Sequence, residues 1–218
     1  PYNPLMKIFF LGPEGTNSDL AARNIFNDAA KYEPLPSIED IFEKVAMSHS
    51  YYGVIPFENS YQGVINSSLN CLIDYDLKIL KEFNFSVSHN LCSMNEDVDL
   101  SSIKKITSHP QVFGQCNTWI RKNIPDAEKI IATSTAEAAS EATKDKELFC
   151  IANTYAIELF GLHTHQENIQ DSNDNKTRFL VIGKSIEDKS EHNKTSVMIN
   201  IADKPGSLMS ILKPFTEL

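Results

Sequence analysis

Short apolar runs alternate with helix-period patterns along most of this chain, and that alternation limits the fold more than any other feature. Extended runs fall at 7–11, 52–57, 104–108, 127–132 and 148–152. Helical patterns follow them. One opens at Asn17 or Ser18 and runs through Leu20, Ala21, Ile25 and Ala29. Another is capped by Ser37, with Asp40 at its third position and Ile38, Ile41, Phe42 and Val45 on one face. Pro110 suits a first helical position in a helix carrying Val112, Cys116, Trp119 and Ile120. Ser134 with Glu137 forms a capping box, and a helix from Asn153 stops at Gly161. This order predicts an α/β protein with largely parallel sheets. Residues 77–91 read as extended, 184–194 as a charged linker, 195–202 as a strand and 207–218 as a helix.

In open α/β sheets ligands collect beyond the carboxyl ends of strands. Four polar corners of this chain occupy such ends. Gly12-Pro13-Glu14-Gly15-Thr16 can offer backbone amides to an anion, or serve only as a tight connection. Glu58-Asn59-Ser60, ahead of Gly63, reads either as a site or as a solvated cap. Ser108-His109-Pro110-Gln111 holds a histidine suited to proton transfer near neutral pH, or simply a helix cap. Ser134-Thr135 offers two hydroxyls that capping alone would explain. The fifth stretch, QDSNDNKTRFLVIG over 170–183, joins a polar run to a strand, with Thr177 and Arg178 at the junction before Phe179. A hydroxyl beside a guanidinium could grip an anionic substrate that must lose a leaving group, though the pair also reads as a strand edge with an exposed cation. Opposed corners in two strand–helix series predict a cleft between two lobes.

The net charge of -9, without any basic run, argues against nucleic acid or an anionic membrane as partner. Cys71, Cys92, Cys116 and Cys150 form no CxxC and read as reduced, buried residues of a cytoplasmic protein. His163 and His165 lack a third ligand at usable spacing, and Asp171, Asp174 and Asn175 lack the pattern of a calcium loop, so no metal and no cofactor are expected.

The segments FLGPEGTNSDLAA (10–22), GVIPFENSYQGVI (53–65), SHPQVFGQC (108–116), STAEAA (134–139) and IQDSNDNKTRFLVIG (169–183), in this order, resemble prephenate dehydratases. KTSVMINIADKPGSLMSIL (194–212) resembles the start of the ACT regulatory domain that follows in that family. The resemblance implies a two-lobed catalytic domain, like a type II periplasmic binding protein, over 1–184. Lobe one would hold 1–84 and 178–184, and lobe two 85–177. A linker over 185–194 and an incomplete α+β ACT domain over 195–218 would follow. The implied reaction is the decarboxylating dehydration of prephenate to phenylpyruvate in phenylalanine synthesis. Arogenate dehydration and a non-catalytic anion-binding module of the same fold are the alternatives.

By the same resemblance Thr177 assists the leaving hydroxyl, Arg178 binds a carboxylate, and Asn59 and Ser60 complete the catalytic set. Glu58, Gly63, Gly15, Thr16, His109, Gln111, Ser134, Thr135 and Phe179 are the expected substrate contacts. Asn17, where the family commonly has an aromatic residue, reads as a packing change. Pro205, Gly206, Ser207 and Leu208 match the first half of a phenylalanine effector site. With only the first strand and helix of that domain within the sequence, the expectation is a truncated, monofunctional chain without phenylalanine control, where the full-length protein would be inhibited. The expected partners are a small-molecule substrate, phenylalanine, and further copies in a homodimer or tetramer.

Overall fold

The computed structural model of the chain describes residues 6–26, 30–185 and 193–216. Two units emerge, 1–186 and 187–218.

The first unit is built on two sheets. The first contains β1 (Lys7–Leu11), β2 (Lys31–Leu35), β3 (Tyr51–Asn59), the two-residue β4 (Gly63–Val64), β5 (Lys78–Ser86) and β11 (Lys176–Gly183). Its order is β2-β1-β3-β11-β5, with β4 on β3. The second contains β6 (Asn90–Ser93), β7 (Lys105–Ser108), β8 (Glu128–Ile131), β9 (Leu148–Ala152) and β10 (His163–Gln166), in the order β10-β6-β9-β7-β8. The chain crosses between sheets twice, from β5 to β6 and from β10 to β11.

The expected α/β, two-lobed architecture is present, but the sheets are mixed, not largely parallel. In each, three strands are parallel (β2, β1, β3 and β8, β7, β9), and the strands next to a crossing run antiparallel. A helix returns the chain to the same sheet end and keeps strands parallel. A crossing from the other sheet enters from the opposite end and reverses the direction.

Period-two alternation explains the burial. Phe9, Ile55, Leu180 and Ile182 face α2 (Ile38–Ala46) and α3 (Asn66–Asp74) on one side of the first sheet. Ile8, Phe10, Val54, Phe179 and Val181 face α1 (Asn17–Phe26) on the other. In the second sheet Ile106, Phe149 and Ile151 meet α4 (Pro110–Gln115) and α5 (Asn117–Asn123). Cys92, Cys150 and Ala152 meet α6 (Thr135–Ala142) and α7 (Thr154–Phe160). Both faces of each sheet are covered, hence the continuous apolar runs in the sequence.

The N-caps form as the sequence predicts, but the box at Ser134 is only half made, since Glu137 reaches back to the N–H of Thr133 and not to that of Ser134. Ser37, Ser134 and Asn153 accept from Asp40, Glu137 and Ala156 N–H groups. The helix expected through Cys116 and Trp119 instead breaks at Cys116. Asp171, from the second crossing, accepts from the amides of Thr118 (3.0 Å) and Trp119 (3.2 Å) and starts the new helix. Asp171 thus caps the first turn of α5 from a distant segment while staying exposed to solvent.

The second unit holds α8 (Ser207–Thr216). Residues 195–202 form no strand, contrary to their alternation, because no described segment supplies a ladder partner. Val197, Met198, Leu208 and Met209 are exposed. Most of the expected linker, Ala29 and the last two residues of the final predicted helix lie outside the described residues.

Candidate active site

Two adjoining cavities open between the sheets. One, of about 180 Å³, is lined by Thr177, Phe179, Asn59, Asn175, His89, Gln115 and others. Its neighbour, about 290 Å³, is lined by Thr16, His109, Thr133, Ser134 and Thr135. Asn17, Ser18, Gln111 and Val112 line both, so they form one cleft. Among the described residues, no Lys, Arg, Asp or Glu lines either part. A larger cavity, about 380 Å³, lies at the amino ends of β7 and β9, beside Lys105 and Glu147. Ligand sites in such sheets form at the carboxyl ends, where the cleft is.

Thr177 on β11 sits opposite Asn59 on β3. Asn59 Oδ1 accepts from the backbone N–H groups of Tyr61 (3.0 Å) and Gln62 (3.3 Å). Its amide nitrogen must then face the other way, donating to Thr177 Oγ1 (2.9 Å) and Asn175 Oδ1 (3.0 Å). With an N–H delivered to its oxygen, the Thr177 hydroxyl keeps its own proton to donate into the cavity.

Arg178 does not share this cleft. Successive strand residues point to opposite faces, and Arg178 projects to the far side of the first sheet. There it pairs with Glu58 (3.2 Å) and Glu82 (3.7 Å) and lies over Phe57 (4.9 Å to the ring centroid). These residues line a separate cavity of about 260 Å³ with Ser60, Asn84 and Lys176. The side-by-side hydroxyl and cation expected from the sequence are thus corrected: adjacent in the chain, they are divided by the sheet. Glu58 follows Arg178. Ser60 is also outside the cleft, where its hydroxyl donates to Asp174 O (3.0 Å) and accepts from Lys176 N (3.0 Å), tying the loop after β3 to β11.

Gly15 departs from expectation too. Its N–H is taken by Asp19 Oδ2 (2.9 Å) and its carbonyl accepts from Asn153 Nδ2 (3.0 Å), so the turn offers no Gly15 amide to an anion. Asn153 Nδ2 also donates to Asn17 Oδ1 (3.0 Å), which ties the two sheets together beside the cleft. Gly63, at φ 75°, lines neither part. Thr16, His109, Gln111, Ser134, Thr135 and Phe179 do line the cleft. His109 Nδ1 accepts from Gln111 N (3.2 Å), so the neutral ring carries its proton on Nε2.

Among the cleft residues that sequence reasoning missed are Asn17, His89, Gln115 and Asn175. Asn17 lines both parts and is not a packing substitution. His89, Gln115 and Asn175 are linked: Asn175 Nδ2 donates to Gln115 Oε1 (3.2 Å), which lies 2.7 Å from His89 Nε2. Burial lowers the His89 pKa, against a smaller opposing effect from the Gln115 hydrogen bond. For His89 and Asn175 the available signal was a polar residue at each inter-sheet crossing.

Comparison with known proteins adds the family. Residues 8–187 match the model of the prephenate dehydratase family. A bifunctional chorismate mutase/prephenate dehydratase of Aquifex aeolicus is 35% identical over 210 residues, covering 96% of this chain and 58% of that protein. The chain therefore spans less than two thirds of that relative's length. A prephenate dehydratase of Methanocaldococcus jannaschii is 34% identical, covering 96% of this chain and 78% of its own. The solved prephenate dehydratase of Arthrobacter aurescens, in complex with L-Phe, has a TM-score of 0.82 at 26% identity, over 97% of this chain and 72% of that one.

Proposed function

This chain belongs to the prephenate dehydratase family, and from that premise we propose that it converts prephenate to phenylpyruvate, carbon dioxide and water. The observation that carries the proposal is the Thr177 hydroxyl, turned by Asn59 toward a cleft without charged side chains.

Prephenate has a ring carboxylate at one end of a cyclohexadiene and a hydroxyl at the other. The bond from ring to carboxylate breaks, and its electron pair moves through the diene. The carbon–oxygen bond opposite then breaks, and the departing oxygen takes one proton, supplied by solvent, to leave as water. Aromaticity supplies most of the driving force. Threonine is too weak an acid to ionise, so Thr177 acts by donating a hydrogen bond to the leaving oxygen as its charge develops.

An uncharged cleft suits the other end of the reaction. A guanidinium clamped on the ring carboxylate would stabilise the charge that must disappear in the transition state. Neutral donors hold it less firmly. His109 Nε2, Gln111, Asn17, Ser134 and Thr135 are our substrate contacts, aided by the amino ends of α1 and α6. Phe179 supplies an apolar wall. Arg178, Glu58 and Ser60 are left to brace β11 from behind. We also propose a cytoplasmic homodimer or tetramer. Residues 205–208, at the turn into α8, would contribute to phenylalanine binding by the whole protein; the Arthrobacter aurescens relative is solved in complex with L-Phe.

The test is turnover of prephenate and arogenate side by side, with and without phenylalanine. Phenylpyruvate from prephenate is expected. Turnover of arogenate alone would reassign the substrate, and binding without turnover of either would overturn the enzymatic reading.

A further inference from the structure

The orientation of Asn59 propagates. Two backbone N–H groups fix its Oδ1, so its nitrogen donates to Asn175 Oδ1. With its oxygen used as acceptor, Asn175 must present Nδ2 to Gln115, whose oxygen accepts. An oxygen 2.7 Å from His89 Nε2 then requires that nitrogen to carry hydrogen. Each link leaves a single choice for the next. The chain starts at the amides of Tyr61 and Gln62 in the turn between β3 and β4 and ends at a histidine in the first crossing.

His89 is otherwise set for this one tautomer. The residue is 2% exposed, and its Nδ1 has no hydrogen-bond partner among the described residues. A second proton would therefore sit on a buried nitrogen without an acceptor. Its main chain is pinned to the second crossing, with its N–H donating to Gln170 Oε1 (3.0 Å) and its carbonyl accepting from Ile169 N (2.8 Å).

Resting on the proposed reaction, we infer that His89 is a positioning residue: as the neutral Nε2–H tautomer it holds Gln115 in one orientation, and through Asn175 and Asn59 that orientation keeps the Thr177 hydroxyl free to donate to the substrate. His89 does not touch the reacting atoms. Without its N–H, the Gln115 oxygen keeps only one of its two donors, so the amide is held less firmly against Asn175 and Asn59 loosens behind Thr177. Its contribution is thus to kcat, not to substrate capture.

Two measurements test this on the 218-residue chain. Nitrogen-15 NMR of the histidine rings at neutral pH should show His89 protonated at Nε2 and bare at Nδ1. An Nδ1–H tautomer or an imidazolium would overturn the inference. In prephenate turnover, His89→Leu should lose about tenfold to a hundredfold in kcat with KM little changed. His89→Gln, whose amide N–H can take the place of Nε2–H, should recover most of it. Parent-like kcat in His89→Leu, or no recovery in a folded His89→Gln, would contradict the role. A parent chain inert on prephenate would sink the functional reading, while the nitrogen spectrum would still decide the direction of the chain.

Discussion

At the scale of single residues, the cleft depends on where protons are and on which face a side chain takes. His89 illustrates the first. Burial lowers its pKa, so between the folded value and the unfolded one, near 6.5, the unfolded chain binds more protons. Its contribution is therefore fully present above about pH 6.5 and is lost as the pH falls from there through the lower folded value. Denaturant titrations at successive pH values should show this decline, and His89→Gln should flatten it; an identical slope in the variant would remove His89 as its source. Thr177 and Arg178 illustrate the second. The period-two rule alone assigns them to opposite faces, so their separation was legible in the sequence. The Glu58 and Glu82 partners that hold Arg178 away were not, because they come from two other strands. His89, Gln115 and Asn175 escaped for the same reason: each lies on a different segment, and only the crossings bring them together.

Elements depend on close approach as much as on pattern. Gly53, in the middle of β3, lets α2 and β11 meet. A Cβ there would lie 2.6 Å from Ile41 Cγ2 and 2.8 Å from Ile182 Cγ1, both in a core without slack. Gly53→Ala should destabilise by about 1–3 kcal/mol through overpacking. Gly63→Ala meets nothing within 4 Å and suffers only from φ 75°, roughly 1 kcal/mol. Urea denaturation of both variants would compare them, and an unaffected Gly53→Ala would show that the packing yields. The starts of α2, α6 and α7 were legible because Ser37, Ser134 and Asn153 act within three residues, whereas the break at Cys116 depends on Asp171 from a distant segment. Strand direction was not, because it follows from crossings far apart in the chain. The strand expected at 195–202 failed for a related cause: alternation marks a face but does not provide a partner.

For the molecule as a whole, function rests on two sheets held across an uncharged cleft. Asn153 is one of the ties, capping α7 while its nitrogen reaches Gly15 O and Asn17 Oδ1. Asn153→Ala removes the cap and both cross-sheet bonds and should destabilise the fold by about 1–3 kcal/mol. Substrate affinity should fall as well, because Asn17 loses its anchor. Unchanged KM in a destabilised variant would confine Asn153 to stability. The most direct measurement compares kcat on prephenate for Thr177→Ala and Arg178→Gln. Thr177→Ala is predicted to lose about 10²–10³ in kcat. Arg178→Gln is predicted to keep kcat and KM near the parent's while giving up about 1 kcal/mol of stability. A collapse of turnover in Arg178→Gln beside a fully active Thr177→Ala would contradict the account.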